Sequence, residues 1–431
     1  MNAVAWAPHA PSHWSGASLK WLAQIYAGGT PRRDNLEYWT NGTIPWLNSG
    51  AVNDWVITEP SDLITEEALA NSNARWVPAN SVVIGLAGQG KTKGTSARLE
   101  TRSTTNQSMA AIVPGGRLDY RFLHYWLVAN YRTIRNLAGG DLRDGLNLQH
   151  IGSIPVPLPP RDEQQAIADY LDRETAQIDE LIGEQLRLIH ILQERRAALI
   201  SHSVHGPQGD RDPSDGWRMI PFVRCMTSQI DYRGATPQKT DSGVQLITAR
   251  NIRNGWIDYE SSREFVAVEE YEQVMRRGLP HVGDLLFTME APLGNVAVVD
   301  RDDIALAQRI VRFEVDQDVA VPHFLCYAAQ GAWFQSQLIQ RATGSTALGI
   351  KASKLPELKI MLPGTKEQQR IVEFLRSQTT KIDDLVIQAQ RLIELSQERR
   401  SALVTAAVTG ELALPDGQRT APGHGTMVDD A

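Results

Sequence analysis

The chain has 431 residues, 42% of them hydrophobic and 22% charged, a formal net charge of -7 and a mean hydropathy of -0.29. That length exceeds one compact core and predicts two to four domains, while the composition is that of a globular protein rather than a disordered or membrane one. No apolar run approaches the roughly 18 residues that span a bilayer, and Met1 to Trp14 lacks a basic and then apolar leader, so the expected location is the cytoplasm.

In chain order, Trp14 and Gly29-Thr30-Pro31 come first, followed by an apolar run, Ser81-Val82-Val83-Ile84, that reads as a buried strand. Gly85-Leu86-Ala87-Gly88-Gln89-Gly90-Lys91-Thr92 then matches the phosphate-binding pattern G-x-x-x-x-G-K-[ST]. A true P-loop needs a helix directly after its lysine, whereas Lys93-Gly94-Thr95-Ser96 is turn-like. The preferred reading is a Gly-rich turn leading into a basic loop, Lys91 to Arg102. Ala110-Ala111-Ile112-Val113 reads as a second buried strand, Tyr120 to Asn136 as helix, and Ile154 to Pro160 as an extended Pro-rich segment. The average charge conceals a division: Arg75 to Arg143 holds ten Lys or Arg against three acids, and Arg161 to Arg196 five against nine. One segment could face phosphates while the other faces solvent or protein.

From Arg161 the apolar positions Ile167, Leu171, Ile178, Leu181, Leu188, Leu192 and Leu199 step by threes, fours and sevens, the stripe of a long helix with a narrow seam. Asp162 and Glu163 suit its N-terminus and Gly206 its end. About 40 residues at 1.5 Å each span roughly 60 Å.

This helix occurs twice. Glu163-Gln164-Gln165 recurs as Glu367-Gln368-Gln369, and the 204-residue shift holds without a gap through Gly206 and Gly410, with about twenty of some 44 positions identical. Ile178-Asp179 matches Ile382-Asp383, and Gln193-Glu194-Arg195-Arg196 matches Gln397-Glu398-Arg399-Arg400. The copy carries Ile371, Leu375, Ile382, Leu385, Leu392 and Leu403 on its seam and ends at Gly410. Upstream the match is weaker and gapped. Trp14 finds Trp217, Gly29-Thr30-Pro31 finds Gly234-Ala235-Thr236-Pro237, Leu123 and Tyr125 find Leu325 and Tyr327, and Ala138, Gly140 and Gly145 find Ala342, Gly344 and Gly349. The strands of the first half align with Asp284 to Phe287 and Arg309 to Phe313, and Pro322 to Arg341 reads as helix. Packing the two copies as an antiparallel coiled coil buries both seams; two independent helices are the alternative.

Catalytic signatures are missing. Cys225 and Cys326 have no neighbouring Cys or His pair, which predicts two reduced, buried thiols rather than a disulfide or a zinc site. No Cys-His or Ser-His-Asp context is recognisable, and the ten histidines are scattered.

The Pro-rich lead-in, Glu-Gln-Gln, the long helix and the Gln-Glu-Arg-Arg close, present twice behind divergent globular parts, resemble the specificity subunit of type I restriction-modification enzymes. The resemblance implies a non-catalytic α+β chain with a pseudo-twofold internal repeat, in which two long antiparallel coiled-coil helices join two target recognition domains. The expected parts are residues 1–160 and 207–363 as recognition domains, 161–206 and 364–410 as the helices, and 411–431 as a flexible tail. It also implies that each domain reads half of a split site in double-stranded DNA while the helices set the gap. Two methylation subunits and then restriction subunits would dock, and S-adenosylmethionine, ATP and magnesium would belong to those partners, with no cofactor or metal on this chain and no membrane.

For DNA contact the expected loop residues are Lys91, Lys93, Arg98, Arg102, Asn106, Gln107 and Arg143 in the first half. In the second they are Arg233, Lys239, Arg250, Asn251, Arg253, Gln308, Arg309, Arg341 and Lys351. For subunit docking or helix pairing they are Gln164, Gln165, Arg195, Arg196, Gln368, Gln369, Arg399 and Arg400. The rival readings are a P-loop NTPase with a coiled-coil insert and a protein scaffold that does not touch DNA.

Overall fold

A computed structural model of the chain describes residues 6–88, 90–139, 145–205, 212, 216–232, 237–253, 255–344 and 348–412. Gln89, Gly140, Arg143, Gly206, Arg233, Gly234, Ala235, Thr236 and the expected tail from 413 onward lie outside the described residues.

The repeated helices are Arg161–His205, the central helix, and Thr365–Thr409, the distal helix, 45 residues each. Gly410, at φ +79°, follows the second as the left-handed residue that ends a helix. The chain divides into two compact units, Met1–Gly183 with Leu392–Ala431, and Glu184–Arg391. This differs from the sequence-based division, in which each helix forms a part of its own. Both ends of each helix carry apolar residues that complete a globular core, so each unit takes half of each helix.

In the first unit, a five-stranded sheet runs in the order Ala23–Ala27, Met109–Pro114, Ser81–Gly85, Ser96–Leu99, Val56–Ile57. The strand Ser81–Gly85 is buried along its whole length because its alternate residues enter two cores. Val82 and Ile84 join Ala110, Ile112, Phe122 and Trp126 in one, while Val83 joins Leu47, Val52, Ala97 and Leu99 in the other. The larger core also holds Ile167 and Leu171 of the central helix and Val404, Ala407 and Val408 of the distal helix. These contacts make the two helical segments antiparallel neighbours. A smaller sheet, Asp62–Ile64, Ile44–Leu47, Ser103–Thr105, Trp76–Val77, carries its own aromatic cluster around Trp46. The Pro-rich segment forms a strand, Pro155–Leu158, that pairs with Ser15–Ser18 and leads into the central helix.

The second unit repeats this plan. Its main sheet is Met226–Asp231, Ile310–Val315, Leu285–Thr288, Val296–Val298. Leu285 and Phe287 face a core that contains Ile200 and Val204 of the central helix with Ile371 and Leu375 of the distal helix. Leu286 faces the opposite core with Leu246, Ile247 and Ile304.

Both predicted medium helices are broken. Tyr120–Ala129 and Tyr131–Arg135 are separated at Asn130, whose backbone leaves the helical region. Pro322–Gln330 and Ala332–Arg341 are separated by Gly331, in an extended conformation. A Cβ on Gly331 would lie 2.8 Å from the His205 ring, so glycine there lets the loop close onto the central helix.

Candidate nucleic-acid interface

The repeated glutamine doublet splits into an inward and an outward member. Gln164 is fully buried: its Oε1 accepts from the Asp119 N–H at 2.8 Å and its Nε2 donates to the carbonyls of Arg117 and Pro159. Gln368 does the same with the Val321 N–H at 2.8 Å and the carbonyls of Val319 and Pro363. Each satisfies three backbone groups where a module meets the start of its helix, groups that would otherwise be buried without partners. Gln165 and Gln369 are exposed. Gln165 borders an open cleft of about 470 Å³ with Tyr120, Arg121 and Arg161.

The arginine doublet divides in the same way. Arg400 Nε lies 3.1 Å from Asp179 in the first unit, and Arg196 Nε lies 3.0 Å from Asp383 in the second. Under the 204-residue shift the two ion pairs are images of one another. Arg195 and Arg399 are exposed. Repetition in the sequence therefore carries two meanings: one member of each doublet holds the chain together and the other faces outward.

Several expected DNA contacts are placed otherwise. Arg98 is no loop residue; it lies in the buried strand Ser96–Leu99 and its Nη1 donates to Asp172 at 2.6 Å. Arg121 joins the same carboxylate at 3.1 Å, and the Tyr125 hydroxyl donates to it at 2.7 Å. Lys93 is buried, as is Asn106, whose side chain accepts from the Ser108 N–H. Asn251 is buried with all its capacity used, accepting from Thr248 and donating to the carbonyls of Asp258 and Ser262. The basic loop expected from Lys91 to Arg102 is thus interrupted by a buried strand, Ser96–Leu99, with turn residues before it and exposed residues after it.

The Gly-rich motif lies between the antiparallel strands Ser81–Gly85 and Ser96–Leu99, with residues 91–94 in turn geometry. The helix that a phosphate-binding loop requires is not there, and the Gly94 N–H closes the turn onto the Gly85 carbonyl at 2.9 Å. Its repeat image, from Thr288 to Gly294, closes by the same bond at 2.9 Å.

The remaining described candidates are exposed or line clefts, except Arg341, which is half-buried. Arg102 stacks on Trp76, its guanidinium carbon 3.7 Å from the ring centroid, and Gln107 accepts from the Thr30 hydroxyl. Lys91, Arg250 and Arg253 are exposed, Arg253 donating to Ser261. Lys239 pairs with Glu264 and Arg341 with Glu357. The structure brings three candidates of the second half together: Gln308, Arg309 and Lys351 line one cleft of about 420 Å³ with Glu290, which holds Arg309 at 3.0 Å. Shared backbone bonds fix the counterparts of this set. Leu86 bonds Ser108 and Leu146 as Met289 bonds Arg309 and Ile350. Gln107 therefore matches Gln308, but Ala87, Ser108 and Asn147 stand where Glu290, Arg309 and Lys351 stand in the other half.

Sequence reasoning missed Asp172, Asp179, Asp383 and His124. His124 is buried beneath Trp55, and burial, with the Arg98 and Arg400 guanidiniums nearby, pushes its pKa down to about 3. Cys326, its counterpart, is a buried thiol raised to about 12 by the same desolvation. Among the described residues, no group of three or more His, Cys, Asp or Glu could hold a metal, and no helix is long and apolar enough to cross a membrane.

A family model for the type I restriction modification DNA specificity domain matches residues 11–189 and 235–396. A type I restriction enzyme specificity subunit of Escherichia coli is 30% identical over 156 residues, 35% of this chain and 38% of that subunit. The MjaVIII specificity subunit of Methanocaldococcus jannaschii is 21% identical over 391 residues, 86% of each chain. A chain solved in work on complex assembly and conformational transition of the type I R-M system has the same fold, with a TM-score of 0.72 at 15% identity over 94% of this chain and 99% of that one. The HsdS subunit of Thermoanaerobacter tengcongensis gives 0.51 at 14% identity over 94% and 98%.

Proposed function

Because this chain belongs to the family of type I restriction-modification DNA specificity subunits, we propose that each of its units reads one half of a bipartite site in double-stranded DNA. The paired helices set the spacer and dock two methylation subunits, one per repeat. Restriction subunits join that complex, S-adenosylmethionine, ATP and magnesium act on the partners, and this chain performs no chemistry of its own. The observation that carries this reading is the contrast within the repeat. The Gln clamps and the Asp–Arg pairs are the same in both units, while the charged Glu290, Arg309 and Lys351 of the second unit's cleft stand where the first has the neutral Ala87, Ser108 and Asn147.

The outward members of the doublets, Gln165, Arg195, Gln369 and Arg399, offer equivalent polar positions to two copies of one partner. Gln308, Arg309 and Lys351 carry donors able to reach base edges and phosphates in the second unit, and Arg102, Gln107 and Lys91 do so in the first.

Mapping methylated adenines in a host that carries this chain with its methylation subunit tests the reading, which requires a split motif that vanishes when the chain is deleted. Insertion of about four residues, one turn, after Gly183 is expected to change the spacer and leave both half-sites intact. Altered half-sites with an unchanged spacer would overturn the ruler.

A further inference from the structure

Arg33 is an exposed cation of the first unit held on three sides. Its guanidinium carbon sits 3.8 Å from the centroid of Trp39 and 4.9 Å from that of Trp46, and its Nη1 donates to Asp62 at 3.2 Å. The two indoles are locked edge to face at 5.1 Å, and each is pinned to the same loop: Trp39 Nε1 donates to the Arg32 carbonyl and Trp46 Nε1 to the Gly29 carbonyl.

The loop has no slack. A Cβ on Gly28 would fall 1.9 Å from the Thr105 carbonyl oxygen and one on Gly29 would fall 2.5 Å from the Asn73 carbonyl carbon, so both positions exclude any side chain. The Gly29 N–H donates to Thr105, and the Thr30 hydroxyl donates to Gln107. Arg33 is nevertheless 56% exposed, and among the described residues its Nη2 meets no acceptor.

Charge decides what such a group suits. A phosphate contact needs positive potential and little orientation, but Asp62 offsets Arg33 and Asp34 offsets Arg32 at 2.8 Å, leaving this loop close to neutral. A base edge needs the reverse: a planar donor fork held in one orientation, with no requirement for net charge. The stacked, carboxylate-buttressed guanidinium has that form. Resting on the reading of the first unit as a half-site reader, we infer that Arg33 recognises a guanine of that half-site by donating to its O6 and N7.

Trp46 and Trp76 flank Thr104 in register across the small sheet, so the stacked Arg33 and Arg102 are anchored on the same face, two strand spacings or about 10 Å apart. Arg102 has the indole without the carboxylate, which is why the guanine is assigned to Arg33.

The test maps methylated sites in hosts expressing the methylation subunit with wild type, Arg33→Met or Arg33→Lys. Methionine keeps an apolar cover on Trp39 and removes the fork; lysine keeps the charge and removes the fork. Both variants are expected to relax one guanine position of one half-site, raising methylation at sites with another base there by about tenfold, while the other half-site and the spacer stay fixed. An unchanged motif with Arg33→Met would make Arg33 a cover for the aromatic cluster and overturn the inference. A wild-type motif with Arg33→Lys, or uniformly weaker methylation without relaxation, would assign a phosphate contact and overturn it equally. If Arg33→Met yields no folded protein by thermal melting, Arg33→Lys decides. Absence of any split motif with the wild-type chain would instead refute the reading on which the inference rests.

Discussion

In the first unit the Tyr125 hydroxyl meets Thr175 of the central helix at 3.3 Å, and in the second Tyr327 meets Thr379 of the distal helix at the same distance. One turn before each threonine the likeness ends. Asp172 collects Arg98, Arg121 and Tyr125 in the first unit, whereas its repeat image, Arg376, is exposed. The repeat has kept the Gln clamps, the Tyr–Thr contacts and the Asp–Arg pairs between the helices, and has kept no counterpart of the charged cluster around Asp172. A buried backbone group must find a partner in any variant of the fold, while an ion pair can be replaced by packing at little cost in stability.

The largest effect should come from breaking the charged side of this contrast. Asp172→Ala leaves the Arg98 guanidinium buried without its carboxylate and is expected to cost about 3–5 kcal/mol, whereas Arg376→Ala, on an exposed side chain, should cost less than about 1 kcal/mol. Urea unfolding measures the totals, and hydrogen exchange should show lost protection at residues 120–129 but not 322–330 in the first variant. Equal costs would mean that the two junctions are energetically alike.

The shared clamp should behave symmetrically. Gln164→Ala and Gln368→Ala each strand buried backbone groups and should each cost about 2–3 kcal/mol; a difference larger than about 1 kcal/mol between them would deny that they do the same work.

Titration sharpens the contrast further. His124 is held near pKa 3 in the folded chain against 6.5 for a free imidazole, so below pH 6.5 the unfolded state takes up a proton that the folded state refuses. Its contribution to stability is complete above pH 6.5 and declines as the pH falls toward 3, by about 2 kcal/mol between pH 7 and pH 5. A His124→Asn variant should lack this decline, read as a pH-dependent gap between the two denaturation curves. Cys326 in the second unit titrates at about 12 and adds nothing in that window.

The smallest effects belong to the helix pairs. Arg196→Ala and Arg400→Ala remove partly exposed ion pairs and should each cost about 1 kcal/mol or less, matching one another within error in thermal melts.

Much of this architecture was legible in the residues. The two long helices follow from their apolar stripes, and their starts and ends come within a few residues of the expected positions because periodicity and capping are local. The strands around Val82 and Ile112 were equally plain as short apolar runs. What escaped was anything that depends on a distant partner. Arg98 looks like a basic loop residue until Asp172, 74 positions later, is brought against it, and Asn251 looks free until the carbonyls of Asp258 and Ser262 close on it.

By itself the sequence determined that the protein is two copies of one plan, each ending in the same helix, since repetition and period are properties of the chain alone. Tertiary structure decided which member of Gln164-Gln165 and of Arg195-Arg196 turns inward, and which arginines remain at the surface. Burial is settled by elements far apart in sequence, and identical doublets acquire different duties only when the module folds against one side of the helix and leaves the other side in water.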